Sequence, residues 1–253
     1  MVKSDMQKWS LKMNINQEKG VTLVELAIVL VIIGLLVSAI LKAQELVNNA
    51  QINSTIAELE LMTGAVNNFD EKYGVYPGDM ANASWRIPGC DADPCNNGNG
   101  DGVINVTLGN ANTTSDESAY FFNQLRMAEF LSGFSGRDIA SFGEAFPNSP
   151  AGGGFMIGDT ENGGALVGFD DTEMRAGKYL LLMRTIENVN GASGILTPAD
   201  AERIDRELDD GLTDSGGIIS QNAAGACRAA AGDDVYEENA VDQVCVIAYR
   251  LPQ

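Results

Sequence analysis

Glu25 is the only charged residue between Val21 and Leu41, a run of 21 residues. A carboxylate at the centre of a membrane-spanning helix costs about 2.5–3.5 kcal/mol on insertion scales, so an acid placed in such a run calls for a partner or a task. The chemistry open to it is charge pairing. Four cysteines, Cys90, Cys95, Cys227 and Cys245, form two pairs that are close in sequence. Beside a membrane segment, this pairing suggests two disulfides and an oxidising compartment, with free thiols or a four-cysteine zinc site as alternatives. Four cysteines allow three connectivities, and composition does not choose among them. The sequence contains no histidine, which excludes His-dependent triads and His-ligated metals. The glycine-rich stretches lack the Lys-Ser or Lys-Thr ending of a phosphate-binding loop. The chain is therefore expected not to be an enzyme.

One loop has the composition of a cation site. In "CDADPCNNGNGDGVIN", residues 90–105, Asn97, Asn99 and Asp101 alternate with glycines, and Val103 offers a carbonyl. These are the ligand positions of a calcium loop of the EF-hand or dockerin type, with Gly102 and Ile104 at its glycine and hydrophobic positions. Position twelve is Leu108 in place of a bidentate glutamate, and a turn-rich disulfide loop is the competing description. No cofactor is required, and calcium is possible.

Charge narrows the partners. Sixteen basic residues oppose thirty-five acidic ones, a net charge of −19. The first twenty residues hold four lysines against Asp5 and Glu18, so residues 21–253 carry −21. A body this acidic, with no run of Lys or Arg, is not expected to bind nucleic acid.

The elements that must position these groups follow from periodicity. The run from Val21 to Leu41 is long enough to span about 30 Å of hydrocarbon as a helix. Ile52, Ile56, Leu59, Met62, Val66, Phe69 and Tyr73 then recur at spacings of three and four, which predicts that the helix continues to Tyr73 with one buried stripe. Gly74 and Pro77 end it. Beyond a loop reaching about residue 114, a helix is expected over Glu117–Leu131, capped by Ser115. Strands are expected at 155–157, 165–169, 178–186, 218–220 and 244–250. Between them, Thr197 caps a short helix with Pro198 in its first turn. Strands clustered after a long helix predict an α+β fold, the helix packed on an antiparallel sheet. Lysines before the run and acids beyond it place the amino terminus in the cytoplasm and the body outside.

The junction itself has an unusual order. In a secretory signal, the small-residue cleavage site follows the apolar segment; here Gly20 precedes it. Gly20 followed by Val21-Thr22-Leu23-Val24-Glu25-Leu26 resembles the prepilin signal of type IV pilins and type II secretion pseudopilins. The resemblance covers residues 19 to about 45, and the general layout of the rest is pilin-like.

The resemblance implies cleavage of the Gly20–Val21 bond by a membrane prepilin peptidase and methylation of the new Val21 amine. It implies that Glu25 meets the Val21 amine of a neighbouring subunit in a filament, offsetting burial of both charges. The expected divisions are a cleaved leader (1–20), a transmembrane and assembly helix (21–41), its amphipathic continuation (42–73) and an exported globular domain (74–253). Expected partners are other pilin or pseudopilin subunits, the peptidase, the inner-membrane assembly machinery and membrane lipid. The expected location is a single-pass cytoplasmic (inner) membrane protein that passes into a pilus or a periplasmic pseudopilus. The 227–245 segment is similar to the disulfide-bounded carboxy-terminal loop of many type IV pilins. Asp209, Asp210 and Asp214 resemble the region where some major pseudopilins bind calcium. A membrane-tethered or filament-displayed adhesin or binding module is the alternative function.

Overall fold

The computed structural model describes residues 21–104, 114–160, 166, 169, 173–186, 194–221, 227, 228, 230, 233–237 and 239–252. The leader with Gly20, Leu108 and most of the expected 165–169 strand lie outside the described residues; Leu166 and Phe169 are buried but not in a strand.

Helix α1 (Leu23–Tyr73) has the length that the apolar run and the stripe together predict. Contacts divide the chain into two units between Leu46 and Val47. In the first, no described side chain is buried, and Leu23, Val24, Leu30, Val31 and Leu35 are all more than 60% exposed. Its most apolar window has a mean hydropathy of 2.9, so the helix is long and apolar enough to cross a membrane.

The second unit begins inside the helix. Ile52, Ile56, Leu59, Met62, Val66 and Phe69 are buried and join one continuous core, as their spacing predicts. Tyr73 packs against that core from its edge. Gly74, at φ +70°, ends the helix, and its N–H bonds the Asp70 carbonyl.

A short helix, α2 (Ala83–Arg86), forms in what sequence reads as loop; it buries only Ala83. Helix α3 (Glu117–Met127) follows, and its start corrects the expected cap. Asp116, extended at φ −126° and ψ 168°, accepts from the Ala119 N–H in the role assigned to Ser115. The helix stops before Leu131 because Glu129 adopts φ 67°, which cannot continue a right-handed helix. Phe121, Phe122 and Leu125 are fully buried, and Phe122 meets Phe146 edge-on.

The sheet has four strands, β1 (Gly154–Asp159), β2 (Lys178–Met183), β3 (Ile218–Ser220) and β4 (Ile247–Arg250), in the order β1-β2-β4-β3 with every pairing antiparallel. Strand β2 is central and buried throughout, which explains the unbroken apolar reading of "KYLLLM". β4 begins at Ile247 instead of Val244 because the preceding residues pair elsewhere: Cys245 bridges Leu196, and the Val246 carbonyl accepts from Gln221. Helix α4 (Pro198–Leu208) is capped by Thr197, which accepts from the Asp200 N–H as the sequence predicts. The α+β layout, a long amino-terminal helix followed by an antiparallel sheet, is pilin-like.

Candidate functional site

The apolar helix opens with a reciprocal cap. Thr22 precedes the first helical residue, and Glu25 is the third. The Glu25 N–H donates to Thr22 Oγ1 at 3.2 Å, while the Thr22 N–H and hydroxyl donate to Glu25 Oε2 at 3.2 and 3.1 Å. This is a capping box, satisfying two amides that the helix leaves without partners. The carboxylate also sits at the positive end of the helix dipole. The resemblance implies intersubunit pairing for Glu25, and the Thr-x-x-Glu spacing is the sequence signal for this second role. Val21, the next residue outward, is 67% exposed.

Carboxylates gather in the second unit at two places. Asp79, Asp101 and Glu117 each bring one oxygen within 4.8 Å of the others. They come from the turn after α1, the glycine-rich loop and the first position of α3. Asp79 and Glu117 are each 6% exposed, whereas Asp101 faces solvent. Asp79 Oδ2 accepts from the Gly102 N–H at 3.0 Å, and its Oδ1 is buried with no hydrogen-bond partner. Burial pushes the Asp79 carboxyl up; the facing amides of Gly102, Gly100 and Asp101 oppose this and the Asp101 charge adds to it.

Glycines let the loop close over Asp79. A Cβ on Gly98 would collide with the backbone of Gly78 and Asp79, and one on Gly78 (φ +89°) would lie 2.7 Å from the Glu117 carbonyl. Buried Gln124 braces the same turn, accepting from the Gly78 N–H at 2.7 Å and donating to the Asn96 carbonyl at 2.9 Å. The sheet holds the other side. Asp159 and Lys178 are cross-strand partners; Asp159 accepts from the Ile104 N–H, and the Lys178 ammonium donates to the Gly102 carbonyl at 2.9 Å.

The loop side chains expected to ligate calcium also accept hydrogen bonds from the backbone. Asn97 Oδ1 accepts from the Ser84 N–H, and Asn99 Oδ1 from the Asp101 N–H. Asp101 Oδ1 accepts from the Val103 N–H, so the loop is a chain of side-chain-to-backbone turns. Of Asn97, Asn99, Asp101 and Val103, the carboxylate cluster includes only Asp101. Asp79 and Glu117 lie outside the loop motif, so no spacing within it could have named them.

The second gathering joins Asp205, Asp209 and Asp210, with Asp214 outside it. Each of its carboxylates already accepts hydrogen bonds. Asp209 Oδ2 accepts from Gly217 and Ile218 N–H groups, and Asp210 from the Leu212 N–H and the Ser215 hydroxyl. Asp205 is fully buried and accepts from the Tyr236 hydroxyl at 2.8 Å. Burial raises its carboxyl to about 7, with the Tyr236 and Gly211 hydrogen bonds opposing and the Asp210 and Asp209 charges adding. The arrangement is an internal strut between α4 and the carboxy-terminal segment.

Cys90 bonds Cys95, and Cys227 bonds Cys245, the two pairs adjacent in sequence. Next to Cys227, the fully buried Arg228 forks onto Glu173 at 2.9 and 2.8 Å and also donates to the Thr213 and Ser220 carbonyls.

Residues 15–41 match the prokaryotic N-terminal methylation motif. That motif is the signature of prepilin-type proteins, the type IV pilins and pseudopilins, and it supports a prepilin-type substrate of prepilin peptidase. The motif implies, in general terms, interaction with the peptidase and with other pilin subunits, and together with the apolar helix it suggests a membrane-anchored protein. The match covers the leader junction and the apolar helix and leaves the body outside it. Comparison with curated proteins gives no match, and comparison with solved structures gives none.

Proposed function

We propose that this chain is a structural filament subunit without enzymatic activity. It is cut between Gly20 and Val21, methylated on the Val21 amine and assembled through its apolar helix into a type IV pilus or a type II secretion pseudopilus. The carrying observation is the helix start: the motif ends in an apolar helix with no described side chain buried before Val47 and one acid, Glu25, in its first turn. So large an unpartnered apolar surface demands lipid or other helices. In lipid it anchors the subunit, amino terminus inward and body exported; among like helices it forms a filament core.

Glu25 then has two tasks. Before assembly it caps its own helix through Thr22, and on assembly it pairs with the amine that cleavage creates on a neighbour. Loss of filament incorporation on replacing Glu25 by Gln, with the body still folded, is the result expected. Filaments of unchanged subunit content would sink the proposal. Electron microscopy of cells lacking the protein, with secreted enzymes assayed in parallel, decides between pilus and pseudopilus.

A further inference from the structure

We infer that Asp79, Asp101 and Glu117 form a calcium site that fastens the 97–104 loop to the start of α3. Three carboxylates with oxygens within 4.8 Å repel one another unless a cation or a proton intervenes. Two of them, Asp79 and Glu117, are withdrawn from water. The decisive feature is Asp79 Oδ1, a buried carboxylate oxygen that no donor satisfies. Leaving such an atom without a partner costs about 1–3 kcal/mol, more if charged, and a bound cation removes that cost.

The ligand set selects the ion. All three donors are hard oxygens, with no sulfur or imidazole among them, which suits calcium or magnesium over transition metals. They come from three segments at differing depths, a looser arrangement than the octahedron magnesium demands, and calcium tolerates such irregularity. An open cleft of ≈ 550 Å³, lined by Asp70, Tyr76, Asp79, Asp101 and Lys178 among others, leaves room for water to complete the coordination. The Lys178 ammonium at the cleft wall lies 3.3 Å from Asp159 and bonds the Gly102 carbonyl. The cluster at Asp205, Asp209 and Asp210 lacks the same argument, because none of its carboxylates has a buried oxygen left without a hydrogen-bond partner, as Asp79 does.

Calcium titration of the full chain in detergent, after removal of divalent ions by a chelator, tests the assignment. Calorimetry should find one calcium per chain, and at a hundredfold excess over Kd the Tm should rise by roughly 5–10 °C. Asp79→Asn should abolish binding, and Asp101→Asn should weaken it at least tenfold. Asp209→Asn should leave it unchanged. Asp101 is solvent-exposed, so that variant decides the matter even if Asp79→Asn does not fold. Absence of binding at millimolar calcium, wild-type affinity in Asp101→Asn, loss of binding in Asp209→Asn, or equal affinity for magnesium would each overturn the inference.

Discussion

Glu25 Oε2 accepts from both the Thr22 N–H and the Thr22 hydroxyl, at 3.2 and 3.1 Å, and so closes the amino-terminal end of a 51-residue helix. The acid that disturbs the apolar run is also the residue that starts the helix. Its charge and its hydrogen bonds can be separated by substitution.

Glu25→Gln keeps an oxygen that accepts from Thr22 and removes the charge. Circular dichroism should show unchanged helix content, while subunit incorporation into filaments should fall at least tenfold. Thr22→Ala does the reverse: it weakens the helix start by roughly 0.5–2 kcal/mol and leaves the charge in place. That variant should still be incorporated. Normal filaments from Glu25→Gln would show that capping, not charge, is what Glu25 contributes.

Mass spectrometry of the mature protein checks processing directly. The expected amino terminus is Val21 carrying one methyl group, with residues 1–20 gone. Recovery of a chain that begins before Val21, from cells with an active peptidase, would contradict this.

Asp205 makes the stability of the body depend on pH. Its folded carboxyl is raised to about 7 from an ordinary value of 3.8, so the folded state binds the extra proton. The stability this contributes is fully present below about pH 4 and is lost as pH rises through 7, with a slope of up to about 1.4 kcal/mol per pH unit. Asp79 and Glu58 are also raised by burial and act in the same direction. The difference between wild type and Asp205→Asn isolates the one group. Urea denaturation at pH 5 and pH 8 should show a smaller loss in Asp205→Asn, whose side-chain oxygen still accepts from Tyr236; equal losses would rule out Asp205 as the source.

Glu173 neutralises the fully buried Arg228 guanidinium. Glu173→Gln should destabilise the body by about 3–5 kcal/mol because a buried cation is left uncompensated. The double variant with Arg228→Met should lose less than the two single variants summed. A loss under about 1 kcal/mol in Glu173→Gln, measured by denaturant titration, would show that backbone carbonyls alone hold the charge.

Helices were legible where their signals are local. The stripe from Ile52 to Phe69, the Thr197 cap of α4 and the glycine stop at Gly74 all depend on residues within a turn or two of one another. Element ends were less so. Ser115 and Asp116 are both good caps, and the choice fell to Asp116 through backbone geometry at one residue. β4 is shorter than its apolar run because Cys245 and Val246 bond partners outside the sheet. The loop at 97–104 shows the same limit for a site: a motif read along the loop does not reach Asp79 and Glu117, which lie outside it and converge with Asp101.

By itself the sequence determined the apolar helix, the Gly20–Val21 junction with Glu25 in register, the acidic body and the sets of cysteines available to pair. Composition and short-range spacing are properties of neighbouring residues and survive without a fold. Only tertiary structure decided that Asp79, Asp101 and Glu117 converge, that Arg228 finds Glu173, and that Asp205 lies buried against Tyr236. Each of those contacts joins segments distant in the chain. They are brought together by burial of a shared core and by glycine turns that let backbones touch, and no period or spacing in the sequence encodes such a meeting.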